Sequence, residues 1–123
     1  MVQLNRMIRK SEGQELSQQQ FSPLVQKALH YISEHISQNL SLEEIAGACF
    51  VSKYYLAHAF GKEMGISVYR YIMLRRLLLS RQMLLAGEPA GQVSAACGFS
   101  DYTSFYRAFR AEYGISPRDF AKP

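Results

Sequence analysis

A chain of 123 residues, 48% of them hydrophobic, can build one compact domain or two very small ones that share a helix. Its longest apolar stretch, residues 71–79, is interrupted by Arg75 and Arg76, and its N-terminus has neither the apolar core nor the small-residue cleavage site of a secretion signal, so a cytoplasmic protein with no membrane partner is expected. The net charge of +4 favours an anionic partner only weakly, but the placement informs: Arg70, Arg75, Arg76 and Arg81 fall in one stretch, and Arg107, Arg110 and Arg118 cluster near the C-terminus.

Residues 1–22 differ from the rest. The first ten carry Val2, Leu4, Met7 and Ile8 with Arg6, Arg9 and Lys10 between them, and residues 11–20 are polar and glutamine-rich. The expectation is the stump of a preceding helix and a flexible linker, the order that removal of an upstream sensor or dimerisation domain would leave, with a naturally small protein carrying a frayed tail as the alternative. Helix signals then come in quick succession. Ser22-Pro23 is an N-cap followed by proline at the first helical position, and Val25, Ala28, Leu29, Ile32 and Ile36 follow at helical spacing until Asn39 closes the helix. Ser41-Leu42-Glu43-Glu44 spells a capping box, with Leu40 and Ile45 placed as a hydrophobic staple, and that helix ends near Cys49. Ser52 caps the next, which stops at Gly65. Ser67 caps a long helix through Tyr71, Ile72, Leu78, Leu79 and Met83 that stops at Gly87. Pro89 opens a short helix ending near Gly98, Ser100 or Asp101 caps one that Gly114 ends, and Ser116-Pro117 opens a last short one. The fold class is therefore all-α, about seven helices joined by short connections.

A repeat organises these elements. Residues 52–67 read SKYYLAHAFGKEMGIS and residues 101–116 read DYTSFYRAFRAEYGIS. At a constant offset of 49, Ala59, Phe60, Glu63, Gly65, Ile66 and Ser67 recur as Ala108, Phe109, Glu112, Gly114, Ile115 and Ser116, and Leu56 as Phe105. Ile45 and Cys49 answer to Val93 and Cys97 one residue out of step, so the second turn holds an extra residue. Each copy is a short capped helix, a tight turn and a second helix, which is the helix-turn-helix plan. Leu56, Ala59 and Phe60, like Phe105, Ala108 and Phe109, form core faces at i, i+3, i+4. The opposite faces carry Tyr54, Ala57, His58 and Gly61 in the first copy and Thr103, Tyr106, Arg107 and Arg110 in the second. A face with polar, aromatic and basic side chains beside a small one can approach a major groove and present donors to base edges. The candidate DNA-binding residues are thus Lys53, Tyr54, Ala57, His58, Tyr102, Thr103, Tyr106, Arg107 and Arg110, with Arg107 placed to read a base or to clamp the phosphate next to it. The helix over residues 67–86 spans about 30 Å at 1.5 Å per residue, close to the roughly 34 Å between successive major-groove faces. Its four arginines are in position for phosphates, though at least half are expected only to solubilise it.

Other classes fit less well. His30 and His35, five apart on one helix, share no face, and no phosphate loop or nucleophile motif is present, so neither an enzyme nor a cofactor is expected. Cys49 and Cys97, at equivalent repeat positions in apolar surroundings, read as core hydrophobes. A helical protein-interaction module built on the tyrosine-rich faces is the alternative; steep salt dependence of binding separates it from a DNA binder.

The chain resembles the DNA-binding domain of the AraC/XylS family over about residues 24–120. The resemblance is carried by Gly98-Phe99-Ser100-Asp101, Phe105, Arg107, Phe109, Gly114, Ser116-Pro117 and Phe120, and in the first copy by Ile45-Ala46, Ser52, Leu56, Phe60, Gly65 and Ser67. Beyond the stump and linker read at 1–22, it implies a double helix-turn-helix domain at 23–123, with subdomains at about 23–66 and 88–121 joined by a linker helix at about 67–86. It also implies a regulator of transcription, usually an activator, that binds double-stranded promoter DNA, with RNA polymerase and an upstream sensor or dimerisation domain as further partners. Departures from the family pattern are Ala90 for a larger aliphatic residue, Ser94 for alanine and Gln92 for an acid, which predict looser packing of the second subdomain. Phe50 stands at a turn position that prefers glycine; His58 and Gly61 replace arginine and lysine, so the first subdomain is expected to hold DNA less strongly than the second.

Overall fold

The computed structural model describes residues 21–122; the expected helix stump and the glutamine-rich stretch, residues 1–20, lie outside the described residues. In chain order the helices are α1 (Pro23–Glu34), α2 (Leu42–Ala48), α3 (Lys53–Met64), α4 (Val68–Leu85), α5 (Ala90–Ala96), α6 (Tyr102–Tyr113) and α7 (Pro117–Ala121). No strand occurs among the described residues. Two helix-turn-helix units, α2–α3 and α5–α6, are joined by α4.

Capping chemistry sets most of the boundaries. The hydroxyls of Ser22, Ser41, Ser52, Ser67 and Ser116 accept the backbone N–H groups of Val25, Glu44, Tyr55, Arg70 and Asp119, each three residues on. At α6 the cap is Asp101, whose carboxylate accepts the Ser104 N–H at 2.7 Å. Gly65 and Gly114 end α3 and α6 in the left-handed conformation at φ +80° and +74°. The capping box at Ser41 forms only its serine half, because the Glu44 carboxylate turns outward to accept the Tyr31 hydroxyl at 2.7 Å.

One boundary departs from expectation. Helix α1 stops at Glu34, well before Asn39, and Ile36 lies in the turn beyond it. The carbonyls of Ile36 and Gln38 accept from the Arg76 guanidinium of α4, Nε at 3.0 Å and Nη2 at 2.6 Å. A partner remote in sequence satisfies these groups, so the chain leaves the helix early without stranding buried carbonyls.

Two hydrophobic clusters result. The first gathers Val25, Ala28 and Ile32 of α1, Ile45 and Ala46 of α2, Leu56 and Phe60 of α3, and Val68 and Ile72 of α4. The second gathers Leu77 and Leu84 of α4, Val93, Cys97 and Phe99, and Phe105 and Phe109 of α6, closed by Phe120 of α7. The early turns of α4 complete one core and its later turns the other. The repeated glutamates do matching work: Glu63 accepts the Ser22 N–H at 2.8 Å, and Glu112 pairs with Arg70 at 3.0 Å, so each tethers the end of its unit's second helix to the start of the helix preceding that unit.

The two turns share one backbone plan. Phe50 N–H bonds to Gly47 O and Val51 N–H to Ala46 O; Gly98 N–H bonds to Ala95 O and Phe99 N–H to Ser94 O. This is the Schellman pattern twice over, and it identifies Ser100 as the extra residue. Phe50 occupies the left-handed position at φ +59°, where the second turn has Gly98 at +95°. The family departures in α5 are accommodated: Ala90 and Ser94 are buried, the Ser94 hydroxyl donates to Gly91 O at 3.3 Å, and Gln92 faces solvent.

Candidate nucleic-acid interface

Helices α3 and α6 bury equivalent stripes and expose equivalent faces. Leu56 and Phe60 on α3, and Phe105 and Phe109 on α6, are fully buried. On the outer side of α3, Tyr54, Ala57 and His58 are exposed. Lys53, at the start of α3, is half-exposed; its ammonium pairs with Glu43 at 3.1 Å and lies 5.4 Å from the Tyr54 ring centroid. On α6, Thr103, Tyr106, Arg107 and Arg110 are all exposed. Tyr102 is half-buried, its ring 5.8 Å from Phe105 and 6.3 Å from Tyr106, so it connects the second core to the outer face.

The electrostatics of the two faces differ. The α3 face presents an imidazole, a phenol and a methyl group, and the Lys53 ammonium beside it is paired with Glu43. On α6 neither Arg107 nor Arg110 takes part in a salt bridge or side-chain hydrogen bond among the described residues. Asp101 is held below the usual carboxylate range, first by the Ser104 backbone N–H, then by the Ser104 and Ser100 hydroxyls and by the charge of Arg107. Arg118 lay outside the sequence-derived site, yet its guanidinium lies 5.3 Å from the Tyr102 centroid and adds an exposed cation beside α6. Its place in the C-terminal basic cluster, just after Ser116-Pro117, was the available signal.

The arginines of α4 divide differently from expectation. Arg70 pairs with Glu112, Arg76 bonds to Ile36 and Gln38, and Arg81 lies over Tyr113 at 5.0 Å and Phe120 at 5.5 Å with its Nε buried. Three are thus engaged with the fold rather than merely solubilising the helix, and only Arg75 is exposed without such a partner.

The remaining candidate chemistry is structural. Burial pushes the Cys97 thiol up to about 11, and it donates toward Met83 Sδ at 3.5 Å. Burial also raises the Cys49 thiol. His30 pairs with Glu34 on the surface, and His35 bonds through Nδ1 to Tyr31 O. Among the described residues no group of His, Cys, Asp and Glu could hold a metal ion, and no helix is long and apolar enough to cross a membrane.

The comparisons with known proteins agree with this geometry. A family model described as "Helix-turn-helix domain" matches residues 45–123. The chain is 35% identical over 89 residues to the probable transcriptional regulator LumQ of Photobacterium leiognathi, a match that covers 72% of this chain and only 36% of LumQ. It is 32% identical over 98 residues to the regulatory protein SoxS of Salmonella typhimurium, covering 79% of this chain and 92% of SoxS. In three dimensions it superposes on the C-terminal domain of AraT, a response regulator from Geobacillus stearothermophilus, with a TM-score of 0.79 and 31% identity, over 82% of this chain and 85% of that one. The chain belongs to the AraC/XylS family of helix-turn-helix DNA-binding transcription regulators.

Proposed function

We propose that the chain recognises a promoter sequence by seating α3 and α6 in successive major grooves on one side of the duplex, and that it activates transcription from there. The observation that carries this reading is the outer face of α6: Thr103, Tyr106, Arg107 and Arg110 stand together in solvent, and neither arginine makes a salt bridge or side-chain hydrogen bond among the described residues. Helix α4, at 18 residues, is about 27 Å long at 1.5 Å per residue, a length that suits the roughly 34 Å groove repeat. In this reading Arg107 donates two parallel bonds to a guanine edge, and Tyr54, Ala57 and His58 make the lighter contacts of the first unit. Lys53, Tyr102, Arg110 and Arg75 lie against the backbone or flank the bases. RNA polymerase is the second partner of an activator placed in this way. LumQ extends well beyond the matched segment whereas SoxS does not; a longer relative of the first kind would attach its sensor or dimerisation domain ahead of residue 21.

The test is selection of genomic fragments by the purified chain, followed by affinity measurement across a salt series. Neutralising about four to six phosphates gives a linear fall of log affinity against log salt with a slope of about −4 to −5. Failure to retain any fragment at low salt would overturn the assignment, and a salt-insensitive interaction would favour a protein partner instead.

A further inference from the structure

Gly98, in the second turn, rests against the first unit. A β-carbon built on it would lie 2.5 Å from the Ile36 carbonyl oxygen and 2.8 Å from Arg76 Nε. Arg76 is the bridge: rooted in α4, it donates Nε to Ile36 O at 3.0 Å and Nη2 to Gln38 O at 2.6 Å. Three segments meet there, namely the chain leaving α1, the middle of the linker helix, and the turn that launches α6.

The repeat supplies an internal control. Phe50 holds the matching place in the first turn at φ +59°, with 85% of its surface exposed. A left-handed residue at this point of the turn therefore need not be glycine when its side chain points to solvent. What excludes a side chain at position 98 is the space taken by Ile36 O and Arg76, over and above the backbone conformation. The second turn touches the first unit, whereas the Phe50 ring of the first turn meets the Lys27 ammonium of its own unit's α1, 4.9 Å from the centroid.

We propose that the Ile36–Arg76–Gly98 junction is a positioning device that fixes α6 relative to α3 and thereby selects the spacing between the two DNA half-sites. The inference rests on the two-groove reading given above. Besides the junction, the second unit is held by core packing along α4 from Leu77 to Leu84, by Arg81 over Tyr113 and Phe120, and by the exposed pair of Arg70 with Glu112. A lever as long as α6, about 18 Å for its 12 residues, moves its tip by about 3 Å when it swivels by about 10°, close to one base-pair step of the roughly 34 Å turn. A junction about 13 Å back along α4, nine residues before Leu85, ties the turn that launches α6 to the first unit itself, which the packing on α4 and the Arg70–Glu112 pair do not. Binding of the second helix then becomes an intramolecular event at high effective concentration only where the half-site spacing matches. The guanidinium forks onto two carbonyls at once, a geometry that an ammonium cannot reproduce.

The experiment uses the full chain and its selected DNA site, with one base pair added or removed between the half-sites, and a duplex carrying the α6 half-site alone. Wild type should lose about tenfold or more in affinity on either change of spacing. Arg76→Lys and Gly98→Ala should bind the single half-site as wild type does, yet show a spacing profile flattened to within about threefold. Circular dichroism at the binding temperature establishes that each variant is folded. A measurement that needs neither variant is the distance distribution between spin labels on Lys62→Cys and Ala111→Cys: it should be narrow in the free chain and unchanged on DNA. A sharp spacing profile retained by a folded Arg76→Lys chain, or a broad label distribution in the free protein, overturns the proposal alone. A wild-type profile insensitive to spacing overturns it together with the two-groove reading.

Discussion

At the same point of their turns one unit places Phe50 in solvent and the other packs Gly98 against its neighbour's carbonyl, and this single contrast runs through the rest of the molecule. The first unit has its own α1, and its α3 carries no arginine. The second leans on what precedes it: Arg70 holds Glu112, Arg76 occupies the space beside its turn, and Arg81 covers Tyr113 and Phe120. Its outer face is the basic one. Duplication supplies two similar helix pairs, but the linker helix makes them unequal by spending three of its four arginines on the fold. Charge that the sequence offers to phosphates at the linker is taken up within the fold.

The largest effects come from removing the matched core aromatics. Phe60→Ala and Phe109→Ala should each lower stability by about 3–5 kcal/mol. Phe109→Ala should fall at the upper end, because Phe109 also makes edge-to-face contacts with Phe105, Tyr113 and Phe120, whereas Phe60 meets only Tyr71 in this way. Because α4 belongs to both cores, each substitution should shift one shared unfolding transition. Urea titration followed by circular dichroism and by methyl signals from both clusters checks this. Two separated transitions would show the units to be independent and would weaken the contrast drawn above.

On DNA the same comparison predicts unequal recognition helices. Arg107→Ala should lose about 1–3 kcal/mol, the range of a good bidentate base contact, and relax the base preference at one position of the α6 half-site. His58→Ala should lose less, since an imidazole lacks the two parallel donors of a guanidinium. Arg110→Ala should lower affinity evenly across sequences and flatten the salt slope by about one. Equal losses at His58 and Arg107 would show that the first unit carries as much recognition as the second. An unchanged base preference in Arg107→Ala would reassign that side chain to the phosphate backbone.

Much of this was legible in the residues, because local chemistry set it. Seven helices, the serine caps, the two core stripes and the exposed faces all follow from periodicity and from side chains acting within three or four positions of themselves. The repeat at offset 49 even revealed the extra residue in the second turn, and its backbone bonds identify it as Ser100. What stayed hidden was long-range. The early end of α1 depends on Arg76, some forty positions away, and nothing within the helix signals it. The same is true of Arg70 and Arg81, which look like any solvated arginine until their partners in α6 and α7 are brought near. The site shows the same division: the α6 face was readable as a stripe, while the approach of Arg118 to Tyr102 needed the packing of α7.

The smallest predicted effect concerns the two caps, Ser52 and Asp101, which occupy equivalent positions but differ in charge. Asp101 is fully exposed and its carboxyl is held below the ordinary value of 3.8, chiefly by the Ser104 N–H. A group with a depressed folded pKa contributes stability that is fully present above its unfolded value and is lost as pH falls through the folded one. The start of α6 should therefore fray as the solution is acidified below about 3.8, while the Ser52 hydroxyl, which does not titrate, leaves the start of α3 unchanged by this route. Amide exchange at Tyr55 and Ser104, each at the N–H its cap accepts, reads the two ends separately. Asp101→Asn keeps a comparable neutral cap, so it should slow the acid-induced exchange at Ser104 and bring its pH profile close to that of Tyr55. If the two profiles already coincide in the wild-type chain, or if Asp101→Asn leaves them apart, the difference between the units at their caps is one of residue identity only.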